Sequence, residues 1–137
     1  PTAKKYVEKG NKMKLTPVIA ASAIVASFLC ALPAAAQNLR DAYCTRISQN
    51  DKFASDGFHL TDAASILRQD RANWHKFGNA DAEDQGDNTF SSVSARARIP
   101  ALLTNGSSSQ STYNRIVNGN PYVCVEIYSN YMYVYEN

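Results

Sequence analysis

Two cysteines, Cys44 and Cys124, lie near opposite ends of the segment that we expect to fold, and they constrain that fold more than any other feature. A third, Cys30, lies in an apolar leader that we expect to be removed. An even pair in an exported protein favours a disulfide. The two Cα atoms must then lie within about 7 Å of each other. The alternative is a free catalytic cysteine with His59 or His75 as its base.

The leader has the layout of a secretory signal peptide. Lys12 and Lys14 precede a long stretch without charged residues, and this stretch ends in small residues that include Ala34 and Ala36. We therefore predict a signal peptide over residues 13–36. Its cleavage would leave the protein secreted or periplasmic. The alternative is an uncleaved leader, through which alone the chain would contact a membrane.

Removal of the leader changes the charge of the chain. Residues 1–12 are an upstream polar segment that we leave out of the fold prediction, and residues 37–137 form a single mature domain. The whole chain has 14 Lys and Arg against 12 Asp and Glu. Its first 36 residues hold five of those lysines and one glutamate, so nine basic and eleven acidic residues remain. This balance argues against nucleic-acid binding, which needs a concentrated excess of cations.

Helical spacing dominates the first half of the mature domain. Residues 38–48 carry apolar side chains at such spacing and predict a short first helix. Residues 61–77 predict a longer helix, which Thr61 caps and Gly78 ends. A third helix is predicted further along, and Pro100 either ends it or starts a further turn.

The second half of the domain predicts strands. Residues 122–128 and 131–135 are rich in β-branched and aromatic residues, and two turn-prone residues join them into a hairpin. Residues 113–117 could add a strand, after a mobile loop over residues 105–111. The predicted fold is α+β, with two or three N-terminal helices packed on a small C-terminal antiparallel sheet. One disulfide would hold the first helix on the hairpin.

The predicted helix over residues 61–77 carries a first candidate binding surface. Arg68, Arg71 and His75 follow one another at spacings of three and four, beside Trp74. Arginine forms forked hydrogen bonds with anions, and tryptophan is a common interface anchor. The pattern therefore indicates an anion or partner site. The alternative is a solvated face with Trp74 in the core.

The same helix carries the candidate catalytic residues. Asp70 interrupts the apolar stripe, and a carboxylate there must be paired, hydrogen-bonded or at an edge. Asp70 with His75 and His59 is the group that a small exported hydrolase would use. The alternative for Asp70 is a structural ion pair with Arg96 or Arg98.

An acidic loop resembles part of an EF-hand calcium site. Asp81, Glu83 and Asp87 occupy the first, third and seventh positions of that pattern, and Gly86 the sixth. Ser92 stands at the twelfth position, where the pattern needs a bidentate glutamate. We therefore expect a solvated acidic loop without tight calcium binding, and no cofactor.

Tyrosines at alternating positions give the second candidate binding surface. Tyr131, Tyr133 and Tyr135 share one face of their strand, and Met132 and Val134 share the other. If the Met and Val side chains are buried, the tyrosines form a flat contact surface for a protein, peptide or glycan. If the tyrosines are buried instead, their hydroxyls reach the rim of the core.

Together these patterns predict a small exported binding, inhibitor or envelope accessory module without enzymatic activity. The alternative is a small exported hydrolase with a His/Asp site. A convex tyrosine face without a pocket favours the first, and a concave pocket that joins Asp70 or an acidic-loop residue to a histidine favours the second.

Overall fold

The computed structural model describes residues 38–137, so the upstream segment and the predicted signal peptide lie outside the described residues. This part of the chain begins with a strand, continues through a helical region and ends with two strands. No helix in it is long and apolar enough to cross a membrane. The elements are β1 (Asp41–Arg46), a 3-10 turn (Gln49–Lys52), α1 (Ala63–Ala72), a π-helical turn (Asn73–Phe77), α2 (Val93–Arg96), α3 (Ile99–Asn105), α4 (Gln110–Asn118), β2 (Tyr122–Ile127) and β3 (Met132–Glu136).

The three strands form one antiparallel sheet in the order β1-β2-β3. This confirms the α+β class and the C-terminal hairpin. The helix predicted over residues 38–48 is wrong, because the segment pairs with β2 in six register positions. Tyr43, Thr45 and Ile47 alternate into the interior and are buried, which is the period of a strand. Within residues 38–137 the helices accordingly follow the first strand, so the predicted placement of the helices before all strands is wrong.

The predicted disulfide is present and joins Cys44 to Cys124. The two residues face each other directly across β1 and β2, with Cα atoms 4.0 Å apart. The bridge spans 80 residues of sequence and therefore encloses the whole helical region. It holds a strand on the hairpin, so the predicted packing of a first helix on the hairpin is wrong.

The long helix predicted over residues 61–77 is confirmed, with a different cap. The Asp62 side chain accepts a hydrogen bond from the Ser65 backbone N–H at 2.8 Å, so Asp62 and not Thr61 caps α1. The last residues widen into the π-helical turn, which ends at Gly78. Gly78 has a φ of 63°, a left-handed conformation that glycine adopts without steric cost.

The remaining helices differ from the sequence prediction in two places. Pro100 lies in the first turn of α3, so it starts a new helix. The strand predicted over residues 113–117 is wrong, because this segment lies in α4, which Ser109 caps. Its apolar residues recur at helical spacing, and Ile116 is fully buried in the core. The expected loop over residues 105–111 is therefore shortened at both ends.

The core lies between one face of the sheet and the helices. The inner sheet face contributes alternate residues of each strand, and α1, α3 and α4 contribute their apolar stripes. Because the helices cover this inner face, the other face of the sheet is left without a covering helix. The fully buried core residues include Ile47, Ile66, Leu67, Phe90, Ile99, Ile116, Val123, Val125, Met132 and Val134.

Candidate functional site

The outer face of the sheet carries the tyrosines, as the sequence prediction allowed. Met132 and Val134 are fully buried, whereas Tyr133 is 36% exposed and Tyr131 and Tyr135 are half-buried. Strand alternation places two more tyrosines of β2 and its turn on the same side. We call this surface the tyrosine face; its tyrosines are Tyr122, Tyr128, Tyr131, Tyr133 and Tyr135.

The rings of the tyrosine face support one another. Tyr128 and Tyr131 stack across the hairpin turn, with ring centroids 4.4 Å apart and planes inclined by 9°. Tyr133 and Tyr135 stack along β3, with centroids 5.6 Å apart. These contacts restrict ring rotation, so a partner that covers the rings loses little conformational freedom in them.

A carboxylate lies within the tyrosine face. Glu126 is paired in register with Tyr133, and its Oε2 atom accepts a hydrogen bond from the Tyr128 hydroxyl at 2.9 Å. This hydrogen bond raises the pKa of Tyr128, because it stabilises the protonated phenol beside an anion. Among the described residues, no lysine or arginine lies within ion-pair distance of Glu126.

Both edges of the sheet are covered. The acidic loop pairs with β1, since the Cys44 N–H donates to the Gln85 side chain at 2.9 Å and the Gln85 N–H donates to the Cys44 carbonyl at 2.8 Å. At β3, the Val134 N–H donates to the Ser108 hydroxyl at 2.7 Å. Edge strands protected in this way resist pairing with another chain.

A buried ionic cluster holds the acidic loop against α1. Arg71 is fully buried, and its guanidinium donates to Asp70, Asp87, the Thr45 hydroxyl and the Gln85 carbonyl. The guanidinium also lies 3.9 Å from the centre of the Tyr43 ring. This set of partners uses the forked donors of the side chain and one face of its guanidinium plane, which compensates for burial of the charge.

Asp70 forms a structural ion pair within this cluster, but its partner is Arg71, so the predicted partners Arg96 and Arg98 are wrong. Its Oδ1 accepts from Thr45 at 2.7 Å and its Oδ2 from Arg71 at 2.7 Å. Arg96 instead donates to backbone carbonyls at the start of its own helix, and Arg98 to the Ser129 carbonyl. Burial raises the pKa of Asp70 to about 7, against the opposing effect of the Arg71 charge.

The two histidines lie in different environments. His75 Nε2 lies 2.9 Å from Asp87 Oδ2, and the imidazole is 13% exposed. His59 is exposed and packs edge-on against Phe53. Asp70 bonds to Arg71 and Thr45, so the described hydrogen bonds do not join it to either histidine. The predicted catalytic group of Asp70, His75 and His59 is therefore not assembled by direct contact.

The predicted surface of Arg68, Arg71, Trp74 and His75 is divided in the structure. Arg71 points into the buried cluster and Trp74 is half-buried. Arg68 is exposed and lines a recess of about 320 Å³ with Lys76 and other residues. The helical spacing was correct, but the acidic loop covers part of the face. Exposure could not be inferred from α1 alone.

The residues of the EF-hand-like loop turn in different directions. Glu83 binds Arg46 through two hydrogen bonds, of 2.7 and 2.9 Å, while Asp87 points inward to Arg71 and His75. In residues 38–137, no group of three or more His, Cys, Asp or Glu side chains is arranged to hold a metal ion. A Cβ on Gly86 would lie 2.9 Å from the Trp74 ring, so ring packing accounts for this glycine.

Searches against protein-family models, curated proteins and solved structures gave no match to this chain.

Sequence reasoning did not select Glu126, Asp84 or Thr45. Asp84 Oδ1 accepts a hydrogen bond from the Arg46 N–H at 2.8 Å and lies 2.8 Å from the Thr45 hydroxyl, so it fixes the acidic loop to β1. Those contacts join distant segments and leave no local pattern. Glu126 could have been found, because alternation along residues 122–128 places it on the same side as two tyrosines.

Proposed function

We propose that the protein is a non-enzymatic binding module that uses the tyrosine face to contact a protein partner. The observation that carries this proposal is the difference between the two faces of the sheet. Its inner face packs in the core, and both its edges are covered. The outer face, with five tyrosines, is left for recognition.

A protein suits this surface better than a glycan. Sugars stack on open ring faces, but here four of the five rings stack in pairs, so each covers part of its neighbour. What remains is a flat patch that offers one outward ring face per stacked tyrosine, together with ring edges and hydroxyls. Tyrosine-rich patches of this kind are frequent energetic centres of protein interfaces.

Two features of the chain favour an exported location for the protein and its partner. The leader has the layout of a signal peptide, and a disulfide is stable in oxidising compartments. We therefore propose that the protein acts after export, in the periplasm or outside the cell, as an inhibitor or an envelope accessory module.

A small exported hydrolase is the alternative, and the contact between His75 and Asp87 is the geometry that it would use. The same Asp87 oxygen also accepts from Arg71, and Asp87 Oδ1 accepts from the Phe90 N–H. A carboxylate held by this many partners is better explained as a structural anchor of the acidic loop than as a catalytic group.

Photo-cross-linking in the producing cells tests the proposal. The photoreactive residue p-benzoylphenylalanine is placed at position 133 on the tyrosine face. For the matched control it is placed at position 93, where Val93 is 62% exposed outside the sheet. We expect a discrete cross-linked protein from position 133 alone. A cross-link from position 93 alone, or from neither, would contradict the proposal.

A further inference from the structure

We propose that Glu126, together with Tyr128 and Tyr133, binds an arginine side chain of the protein partner. This inference rests on the proposed function, because it assigns a specific contact to the tyrosine face. It follows from the way in which the chain accommodates its own arginines.

Arg46 shows the arrangement on the tyrosine face itself. Its guanidinium carbon lies 5.2 Å from the centre of the Tyr122 ring. The same guanidinium forms two hydrogen bonds with the Glu83 carboxylate. Arg46 is thus held by a cation–π interaction with a tyrosine ring and by a bidentate salt bridge with a carboxylate.

Arg71 repeats the arrangement in the interior. Its guanidinium lies over the Tyr43 ring at 3.9 Å and donates to the Asp70 carboxylate at 2.7 Å. The combination of a tyrosine ring and an acidic side chain therefore holds arginine in two unrelated environments of one small domain, at the surface and in the core.

Glu126 with its neighbouring tyrosines has the same two components. Tyr133 lies opposite Glu126 in the register, and Tyr128 donates its hydroxyl to Oε2. Two other carboxylates near the sheet are already neutralised, Glu83 by Arg46 and Glu136 by Arg115. Among residues 38–137, Glu126 has no such ion pair.

Arg40, the residue before β1, forms no salt bridge with this carboxylate among the described residues. Arg40 is exposed, and it lines a recess with Arg98, Thr89 and Tyr128 at the end of the sheet. An arginine from a partner can therefore reach Glu126 without displacing an ion pair of this chain. Charge complementarity then selects a basic partner surface over an acidic or neutral one.

Arginine fits this site better than lysine. The Tyr128 hydroxyl occupies Oε2, and Oε1 accepts no hydrogen bond from the described residues. A planar guanidinium can donate to Oε1 and still lie against a tyrosine ring, whereas an ammonium is a compact point charge with a stronger hydration shell.

A titration with amino-acid probes tests the site directly. The aromatic NMR resonances of Tyr128 and Tyr133 are followed in the full mature domain during addition of N-acetyl-arginine amide at constant ionic strength. N-acetyl-citrulline amide, a neutral molecule of nearly the same shape, is the control probe. We expect arginine to bind about tenfold more tightly than citrulline, since a hydrogen bond between charged groups is stronger than one from a neutral donor.

The variant Glu126→Gln keeps the shape of the side chain and removes its charge. We expect it to lose the preference for arginine, while Glu136→Gln, whose side chain pairs with Arg115, keeps it. Equal shifts with arginine and citrulline, or an unchanged preference in Glu126→Gln, would overturn the arginine site. The cross-link from position 133 reports separately on the tyrosine face, so a failure of the arginine site is distinguishable from a failure of the proposed function.

Discussion

Replacing Arg71 with methionine should cost this domain a large share of its stability. The substitution removes four hydrogen bonds and leaves two buried carboxylates, Asp70 and Asp87, without their cation. Breaking a buried ion pair from one side costs about 3–5 kcal/mol. Small domains are stable by about 5–15 kcal/mol, so this cost is a large share of the total. Because each kcal/mol lowers the melting temperature of a domain of this size by about 4 °C or more, Arg71→Met should lower it by at least about 12 °C.

Denaturant unfolding at neutral pH measures this cost. Arg68→Met is the matched control, because Arg68 lies one turn earlier on α1 and is exposed; it should change the free energy of unfolding by less than about 0.5 kcal/mol. Arg71→Lys keeps the charge without the forked donors and should be intermediate. Should Arg71→Met unfold within about 1 kcal/mol of the wild type, the cluster does not anchor the fold and the reasoning is wrong.

Three further predictions concern the cluster, the disulfide and the acidic loop. Because burial raises the pKa of Asp70 to about 7, its protonated form contributes stability that is fully present below about pH 4 and lost as the pH rises toward 7. The stability difference between wild type and Asp70→Asn should therefore shrink from pH 5 to pH 8; growth of the difference would mean that Arg71 keeps the carboxylate ionised. Replacing Cys44 and Cys124 with alanine should lower the free energy of unfolding by up to about 4 kcal/mol, and an unchanged denaturation midpoint would refute this. Calorimetric titration of calcium should show no micromolar binding, since two carboxylates of the loop already pair with arginines; micromolar affinity would restore the metal interpretation.

Local patterns in the sequence predicted the elements that local interactions determine. The helix around Ile66 and Leu67 and the C-terminal hairpin are confirmed, because their periodicities are unambiguous. The strand β1 was missed, since Leu39, Tyr43 and Ile47 also fit helical spacing. Its identity as a strand depends on pairing with β2, which lies far away in the sequence.

In the candidate site, too, local patterns predicted some features and distant contacts determined the others. Alternation in β3 correctly separated Met132 and Val134 from the tyrosines, because the two faces of a strand follow from sequence position alone. The fate of Arg71 did not follow from its helix, because a distant loop folds over that face and brings Asp87 to it. Contacts between segments far apart in the chain decide which polar residues of a helix are exposed.

The affinity of the protein partner identified by cross-linking is the measurement that tests the tyrosine face most directly. Calorimetry compares wild type with Tyr133→Ser and with Arg68→Ala, whose side chain lies on the exposed face of α1. We predict that Tyr133→Ser weakens binding at least about tenfold, which corresponds to about 1.4 kcal/mol, and that Arg68→Ala leaves the dissociation constant unchanged. Unchanged affinity in Tyr133→Ser together with lost affinity in Arg68→Ala would contradict this account and place the binding surface on the helix.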